Sequence, residues 1–304
     1  MKKSLSTNTA FISIGFISAV IFSAFSANVI ADSVLDRVKS SGVMTISYRE
    51  SSIPFSYLGD NGRPVGFSWE ICNKIADEVK KQVGRPDMVI ASQAVTSQNR
   101  IPLLQNGTID LECGSTTNSS ERAKQVAFAT NYFYTGTRFL TMANSGIKSF
   151  ADLKGKKLAV TTGTTNYQVL RKLSAEQNIS LELIGAKDHA DGLLMVESGR
   201  VDAFAMDDIL LYGLRASSKD PKRLMVVGDP IQVEPYAIMV NKDDPQFKAL
   251  VDSVIANLMK SGEFDKLYKK WFESNIPPKG INLNAPMSKE LKANMKALSD
   301  KPAI

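Results

Sequence analysis

In the first part of the chain, segments with helical spacing of apolar residues alternate with segments in which apolar and polar residues alternate as in a strand. Helical spacing of apolar residues is found in LDRVKSSG, FSWEICNKIADEVKKQVG and SQNRIPLLQNG. Strand-like alternation is found in VMTISY and MVIASQAV, and IDLECGS adds a short apolar segment. The first helix is expected to end at Gly42. Strands that alternate with helices predict an α/β fold with a parallel-type sheet.

The same order of elements repeats in a second unit, which begins after TRFLTMANS. Helix, glycine turn, strand, Gly-Thr loop and helix are predicted, in that order, in SFADLKGKKLAVTTGTTNYQVLRKL. A strand is expected in LELIGA, a helix ending at Gly199 in HADGLLMVESGR, and a strand running into a helix in VDAFAMDDILLYGLRA. One more strand is expected in PYAIMVNKDD, and two amphipathic helices in PQFKALVDSVIANLMKSGEFDKLYKKWF.

Two extended segments, near residues 136–141 and 233–238, join the two units. Two crossings predict a hinged pair of lobes that closes over a ligand, with the loops at the strand ends facing the cleft. We assign residues 32–137 to the first lobe and residues 138–235 to the second. Residues 236–304 are expected to return to the first lobe and to end in a C-terminal tail.

The N-terminus has the pattern of a secretory signal peptide. Lys2 and Lys3 precede an uncharged apolar run that ends near the small-residue pattern at Ala31. We expect cleavage after Ala31, and an uncleaved membrane anchor is the alternative. Removal of residues 1–31 takes away two lysines and no acids, so the formal net charge of +6 becomes about +4. These interspersed charges disfavour an extended nucleic-acid surface.

The chain contains two cysteines, Cys72 and Cys113. Two cysteines are too few for a disulfide scaffold, and their spacing is not that of a metal site. A single bridge and a pair of free thiols both remain open.

Candidate chemistry in the first unit falls in loops next to predicted strands and helices. Arg49 follows a strand, Ser97 is expected at a helix N-cap, and Arg100 comes three residues later, so that both address one carboxylate. The alternatives are a solvated loop charge for Arg49 and simple capping for Ser97. In ECGSTTNSSER, Ser115 and Thr117 are expected in a strand-to-helix loop that Arg122 follows, where free backbone N–H groups and a guanidinium suit an α-carboxylate.

The second unit adds a loop and an acidic pair. The Gly-Thr loop offers Thr162, Thr164 or Thr165 to a second carboxylate, and it lacks the Gly-Lys-Ser/Thr ending of a phosphate loop. An ammonium group needs a carboxylate, which we expect from Asp207 pointing inward, while Asp208 caps the following helix. The alternative is that both aspartates are caps.

Several motifs occur together along the chain: RESSIPFSY, TSQNRIPLLQNGT, ECGSTTN followed by ER, TTGTTN, AKDH and MDD. On these motifs the chain resembles the periplasmic glutamate/aspartate-binding proteins of polar amino-acid ABC transporters, in solute-binding protein family 3. The resemblance implies a two-lobed type II periplasmic-binding-protein fold, hinged by two crossing strands. It also implies a monomer without cofactor that delivers L-glutamate or L-aspartate to a membrane permease.

The resemblance also implies a role for each site residue. The α-carboxylate is expected on Arg122 with Ser115 and Thr117, and the α-ammonium on Asp207. The distal carboxylate is expected on Arg49, Ser97, Arg100, Thr165 and His189. Without the resemblance, His189, the single histidine of the chain, has the pattern of a surface loop residue.

The charges expected at the site and the lack of a catalytic residue set favour some functions over others. Three arginines opposite Asp207 predict an excess of about two positive charges, which matches a dicarboxylic amino acid. An enzyme on the same scaffold, such as a dehydratase, is the main rival, but one histidine and no Ser-His-Asp set argue against catalysis. A ligand sensor that signals to a membrane receptor is the other alternative, which the sequence leaves open.

Overall fold

The computed structural model of the protein describes Met1 and residues 33–303. The predicted signal peptide, residues 1–31, therefore lies outside the described residues apart from Met1. None of the helices within residues 33–303 combines the length and the apolar character that crossing a membrane requires.

Helices and strands alternate through most of the described chain. The helices are α1 Val34–Ser41, α2 Phe67–Val83, α3 Arg100–Gln105, α4 Asn166–Glu176, α5 His189–Glu197, α6 Asp208–Ser217, α7 Pro245–Ser261, α8 Glu263–Phe272 and α9 Lys289–Ala297. The strands are β1 Val43–Tyr48, β2 Ser51–Ser52, β3 Ser56–Leu58, β4 Pro64–Val65, β5 Val89–Ala94, β6 Leu111–Glu112, β7 Ala127–Phe128, β8 Phe133–Met142, β9 Lys157–Thr161, β10 Glu182–Ala186, β11 Ala203–Asp207, β12 Leu224–Tyr236 and β13 Met239–Val240. The sequence patterns did not predict β2 to β4 or α9.

Local capping explains why the predicted helix ends agree with the structure. The hydroxyl of Ser33 accepts the Leu35 N–H at the start of α1, and Gly42 ends the helix with φ 71°. The carboxylate of Asp244 accepts the Phe247 N–H at 2.9 Å at the start of α7. Gly262, also left-handed, separates α7 from α8. The predictions for these helices are confirmed.

Two five-stranded sheets form two lobes. The sheet of the first lobe has the order β5-β1-β6-β13-β7, and that of the second lobe has the order β10-β9-β11-β8-β12. Strand β1 is parallel to β5 and β6, and β9 is parallel to β10 and β11. Strands β13 and β8 run antiparallel to their neighbours, so both sheets are mixed. The prediction of a parallel-type sheet is correct only for the strands that alternate with helices.

The chain passes between the lobes along β8 and β12. These two strands pair antiparallel from Phe133 opposite Tyr236 to Met142 opposite Leu224, with register shifts in between. The segment predicted as one strand in PYAIMV is divided between the end of β12 and β13, because the chain changes sheets there. The two-lobed fold is confirmed, while the lobe boundaries at 137/138 and 235/236 stay a prediction.

An aromatic cluster holds the first-lobe ends of both crossing strands. The ring of Phe55 lies 4.9 Å from Phe133 on β8, 5.2 Å from Tyr236 on β12 and 5.5 Å from Phe272 on α8, measured between centroids. These rings are buried and meet mostly edge to face, an arrangement that aromatic pairs favour. The hinge strands are thus rooted in the core.

The C-terminal segment packs against the first lobe. The side-chain amides of Asn118 and Asn131 donate to the backbone carbonyls of Asp300 at 2.7 Å and Lys301 at 2.9 Å. The Ala303 N–H donates back to the Asn118 carbonyl at 2.8 Å. Both asparagines are buried, so the tail completes the packing of the loop that carries Asn118.

Cys72 on α2 and Cys113 after β6 form a disulfide, with their Cα atoms 6.2 Å apart. Both cysteines are fully buried in the first lobe. The bridge joins a core helix to the end of a central strand. Of the two alternatives left by the sequence, the structure contains the bridge.

Replacing both Cys72 and Cys113 by alanine is expected to lower the free energy of unfolding by roughly 4 kcal/mol, because the bridge closes a loop of 41 residues. Urea unfolding of the two proteins measures the difference. A reductant should lower the stability of the wild-type protein and leave that of the variant unchanged. Equal unfolding midpoints for the two proteins under oxidising conditions would contradict this prediction.

Candidate functional site

A small cavity of about 10 Å³ lies between the two lobes. Its lining is formed by Ser97, Arg100, Ser115, Thr117, Arg122, Thr164, Thr165, Asn166, His189, Met206, Asp207 and Leu210. The structure therefore brings together all predicted site residues except Arg49 and Thr162. Both lobes contribute residues to this lining. Its geometry therefore depends on how the two lobes contact each other.

The first lobe presents hydrogen-bond donors that nothing in the described part of the chain accepts. The hydroxyls of Ser97 and Ser115 and Nε of Arg100 are buried without a partner among residues 33–303. Burial and the neighbouring positive charge of Arg122 lower the pKa of Arg100 to about 9, which leaves the guanidinium charged at neutral pH. Because buried polar groups are nearly always hydrogen-bonded, these donors suit an anionic ligand.

Ser97 is not the N-cap of a helix, contrary to the prediction. Helix α3 begins at Arg100, and Asn99 is its N-cap residue. The Asn99 side chain accepts the Thr96 N–H at 2.8 Å, a local turn that delays the start of the helix. The hydroxyl of Ser97 therefore has no capping role.

Arg122 connects the two lobes. It is the first residue of a short 3₁₀ helix, and its side chain is buried. Its Nη1 donates to the Thr117 carbonyl and its Nη2 to the Gly163 carbonyl of the second lobe, both at 2.9 Å. Burial lowers the pKa of Arg122, although Glu234 and Asp207 oppose this shift.

The buried carboxylate of Glu234, on a hinge strand, binds two threonine hydroxyls of the cavity lining. Glu234 on β12 accepts the hydroxyl of Thr117 at 3.0 Å and that of Thr165 at 2.6 Å, one from each lobe. The two hydroxyl oxygens lie 3.4 Å apart. Both threonines line the cavity with their positions set by Glu234.

Asp207 supplies the acidic wall of the cavity. Its carboxylate accepts hydrogen bonds from the Tyr236 hydroxyl and from the Asn166 amide, the latter at 2.8 Å. Burial, followed by the negative charge of Glu234, raises the pKa of Asp207 to about 6, and these two hydrogen bonds limit the rise. The prediction that Asp208 caps α6 is wrong, because Asp207 occupies the N-cap position and Asp208 is the first residue of the helix. The Asp208 carboxylate accepts the Ile209 N–H and the Thr135 hydroxyl, both at 2.7 Å.

Arg49 lies behind the cavity lining, beside His189. It is fully buried; its Nη2 donates to Asp188 at 2.5 Å and lies 3.3 Å from Nε2 of His189. Because a guanidinium only donates, Nε2 is the acceptor, and Nδ1 carries the proton toward Thr161, 3.0 Å away. Burial and the charge of Arg49 lower the pKa of His189 to about 3. The ring is neutral and, in this tautomer, has no Nε2 proton to donate to an anion.

Thr162 does not reach the cavity. Its hydroxyl donates to the Ala186 carbonyl at 2.9 Å, and the residue is exposed at an outer crevice between the lobes. This bond ties the Gly-Thr loop to the end of β10. The expectation that Thr162 points to the ligand is wrong for this arrangement of the lobes.

The count of charges made from the sequence is also wrong. Besides Asp207, three carboxylates stand close to the arginines, at Glu112, Asp188 and Glu234, and the two glutamates are buried. Glu112 accepts the Thr116 hydroxyl at 2.7 Å, and that hydroxyl in turn accepts from Arg100 at 2.5 Å. The cavity therefore has no excess of two positive charges. Its suitability for an anionic ligand comes from the positions of its unpartnered donors and not from its net charge.

The sequence patterns did not predict the residues that pair with the charged groups of the site. Glu112 was a charge within an apolar strand, and Asp188 stood next to the single histidine, but neither position has a distinctive spacing. Asn166 and Tyr236 had no signal. Within the described residues, no group of three or more His, Cys, Asp or Glu side chains could hold a metal ion.

Known proteins of similar sequence and structure bind amino acids. The chain is 46% identical over 290 residues to the L-glutamate/L-aspartate-binding protein of Pseudomonas aeruginosa, covering 94% of this chain and 96% of that protein. It is 48% identical over 285 residues to the glutamate/aspartate import solute-binding protein of Escherichia coli (strain K12), covering 94% of each. The solute receptor for L-cysteine of Neisseria gonorrhoeae superposes with a TM-score of 0.69 at 27% identity, covering 78% of this chain and 92% of that one.

Residues 44–274 match the bacterial extracellular solute-binding proteins, family 3. This range contains both crossing strands and every residue that lines the cavity. The chain therefore belongs to the bacterial extracellular solute-binding proteins, family 3.

Proposed function

We propose that this protein captures L-glutamate and L-aspartate in the periplasm and delivers them to the permease of an ABC transporter. The observation that carries the proposal is the pairing, in one interlobe cavity, of unpartnered buried donors with a buried carboxylate. Ser97, Arg100 and Ser115 supply the donors, and Asp207 supplies the carboxylate. The named functions of the glutamate/aspartate relatives support the same choice of ligand.

Each group of an acidic amino acid has a proposed partner. The α-carboxylate binds Arg122 with Ser115 and Thr117, and the α-ammonium binds Asp207. The distal carboxylate is held by the unpartnered donors of Ser97 and Arg100, beside Thr165, whose hydroxyl donates to Glu234. Arg49 acts from behind the cavity lining. His189 contributes by orienting Arg49, and Thr162 by fixing the Gly-Thr loop.

The energies of such contacts are large enough for tight and selective binding. A hydrogen bond to a charged group contributes about 1.5–3 kcal/mol, so a handful exceeds the roughly 8 kcal/mol that corresponds to micromolar affinity. Glutamine replaces the distal anion by a neutral amide and leaves a buried guanidinium without its partner. Breaking a buried ion pair in this way costs about 3–5 kcal/mol, which amounts to two or more orders of magnitude in affinity.

The names of two relatives support delivery to a permease. The Escherichia coli protein is named for glutamate/aspartate import, and the Pseudomonas aeruginosa protein for glutamate/aspartate binding. We propose that the chain acts as a monomer, binds no nucleic acid, needs no cofactor and catalyses no reaction. Residues 1–31 are proposed to direct secretion and to be removed after Ala31.

Isothermal titration of ligand-stripped protein lacking residues 1–31 tests the ligand. One-to-one binding of L-glutamate and L-aspartate is expected, with L-glutamine weaker by about a hundredfold or more because it lacks the distal charge. L-arginine serves as a control of opposite side-chain charge. Glutamine affinity equal to that of glutamate would refute the proposed role of the donors.

Lobe closure should depend on Gly163, whose φ is +83° and whose added Cβ would lie 2.7 Å from backbone atoms of Gln98 on the facing lobe. Gly163→Ala is therefore expected to weaken glutamate binding by roughly tenfold or more, since overpacking costs about 1–3 kcal/mol. Gly199→Ala is the matched control, because Gly199 is also left-handed, with φ +71°, but has open space around it. Similar losses of affinity in both variants would attribute the effect to backbone strain.

Glutamate affinity should fall in mild acid. Glu234, Tyr236, Asn166 and Asp208 surround Asp207, whose pKa lies at about 6, so this carboxyl is largely neutral below that pH. An ammonium ligand needs the ionised form, and the affinity should decrease about tenfold per pH unit below about 6 while staying level above about 7. Titrations between about pH 8 and pH 5 measure this slope. The Asp207→Asn variant should bind weakly with no such slope, and a level wild-type profile would contradict the assignment.

A further inference from the structure

We propose that Asp188 is a positioning residue that fastens the two lobes together and fixes the guanidinium of Arg49 when the cleft is closed. The proposal rests on the proposed function, because the closure concerned is that over an amino acid.

Asp188 occupies the N-cap position of α5 but does not cap the helix. Its backbone is extended, with φ −146° and ψ 178°, and its side chain accepts no capping hydrogen bond. Aspartate is among the residues that cap best, and forgoing this bond usually costs stability. The carboxylate must therefore find its partners elsewhere.

Those partners lie on the other lobe. One carboxylate oxygen accepts from Nη2 of Arg49 at 2.5 Å, and the other accepts from the hydroxyl of Ser51 at 2.8 Å. Arg49 is fully buried, and the Asp188 side chain keeps 20% of its exposure. A carboxylate that joins a guanidinium and a hydroxyl from the opposite lobe can keep both bonds only while the lobes touch.

Ser51 also replaces the missing cap. Its hydroxyl oxygen accepts the N–H of Ala190 in the first turn of α5 at 3.3 Å. The start of this second-lobe helix is thus capped from the first lobe. When the lobes separate, Asp188 loses Arg49 and Ser51 and becomes free to cap its own helix. Opening and closing therefore exchange one set of hydrogen bonds for another.

The same contact determines how Arg49 is presented. With Nη2 held by Asp188 and next to His189, Nε and Nη1 are left buried without a partner among the residues that the structure describes. Asp188 thereby fixes which nitrogens of the guanidinium stay available behind the cavity wall. Because His189 lines the cavity, a shift of Arg49 reaches the ligand through this ring.

Stopped-flow measurement of glutamate association and dissociation on full-length mature protein tests the clamp. Asp188→Ala is expected to raise the dissociation rate about tenfold or more, with an association rate close to that of wild type, because the lost charge-assisted bonds exist only in the closed state. Asp191→Asn is the matched control. Asp191 lies in the same helix turn and accepts the Lys187 N–H at 2.9 Å, but it has no bond to the first lobe.

Two further variants separate a clamp from a general effect on folding. Ser51→Ala should also speed dissociation, and the double variant Ser51→Ala/Asp188→Ala should do so by less than the product of the two single effects, since both residues belong to one set of bonds. Small-angle scattering with saturating glutamate should show a less compact Asp188→Ala protein. Urea midpoints of the variants should remain close to that of wild type.

Unchanged dissociation from Asp188→Ala, or an equal acceleration in Asp191→Asn, would overturn the clamp. Independent, multiplicative effects of the Ser51 and Asp188 substitutions would also overturn it. If the wild-type protein prefers an amino acid other than glutamate or aspartate, the proposed ligand is wrong, and the same ratio of rates measured with the preferred amino acid still decides the clamp.

Discussion

Three guanidinium groups buried in one interlobe region impose the strongest physical constraint on this structure. Removing a charge from water is expensive unless the protein or a ligand supplies compensating partners. Carboxylates and carbonyls supply part of this compensation, through Glu112 and Thr116 for Arg100 and through two carbonyls for Arg122. The donors that remain without a partner in the cavity lining, on Ser97, Arg100 and Ser115, define the chemistry that the cavity can accept.

The two lobes meet through many small contacts that share one surface. Arg122 reaches the Gly163 carbonyl, Glu234 gathers a threonine from each side, and Asp188 bonds to the opposite lobe. Hinge closure around a ligand is common among proteins of this architecture, and here the hinge strands end in a buried aromatic cluster.

Local sequence patterns predicted the elements that are determined by signals within their own residues. Helix α1 and strand β1 were predictable from periodicity and from the glycine at position 42, because these signals act over a few residues. The short strands β2 to β4 were not, since two or three residues leave no measurable period. The resemblance supplied most of the cavity lining, but it did not supply the partners of its charges. The Arg49–Asp188 pair joins residues 139 apart in the chain, and only the tertiary fold places them together.

The packing of the C-terminal segment on Asn118 and Asn131 has a consequence for the order in which the protein is completed. Strands β8 to β12 form one continuous stretch of chain, so the second lobe has all its parts once residue 236 has been synthesised. The first lobe needs both ends of the described chain, down to Ala303. A partly synthesised chain therefore already contains the loop that carries Asn118 but lacks the hydrogen bonds from the C-terminal segment to that loop. The ligand-binding form is consequently the last to be assembled during synthesis.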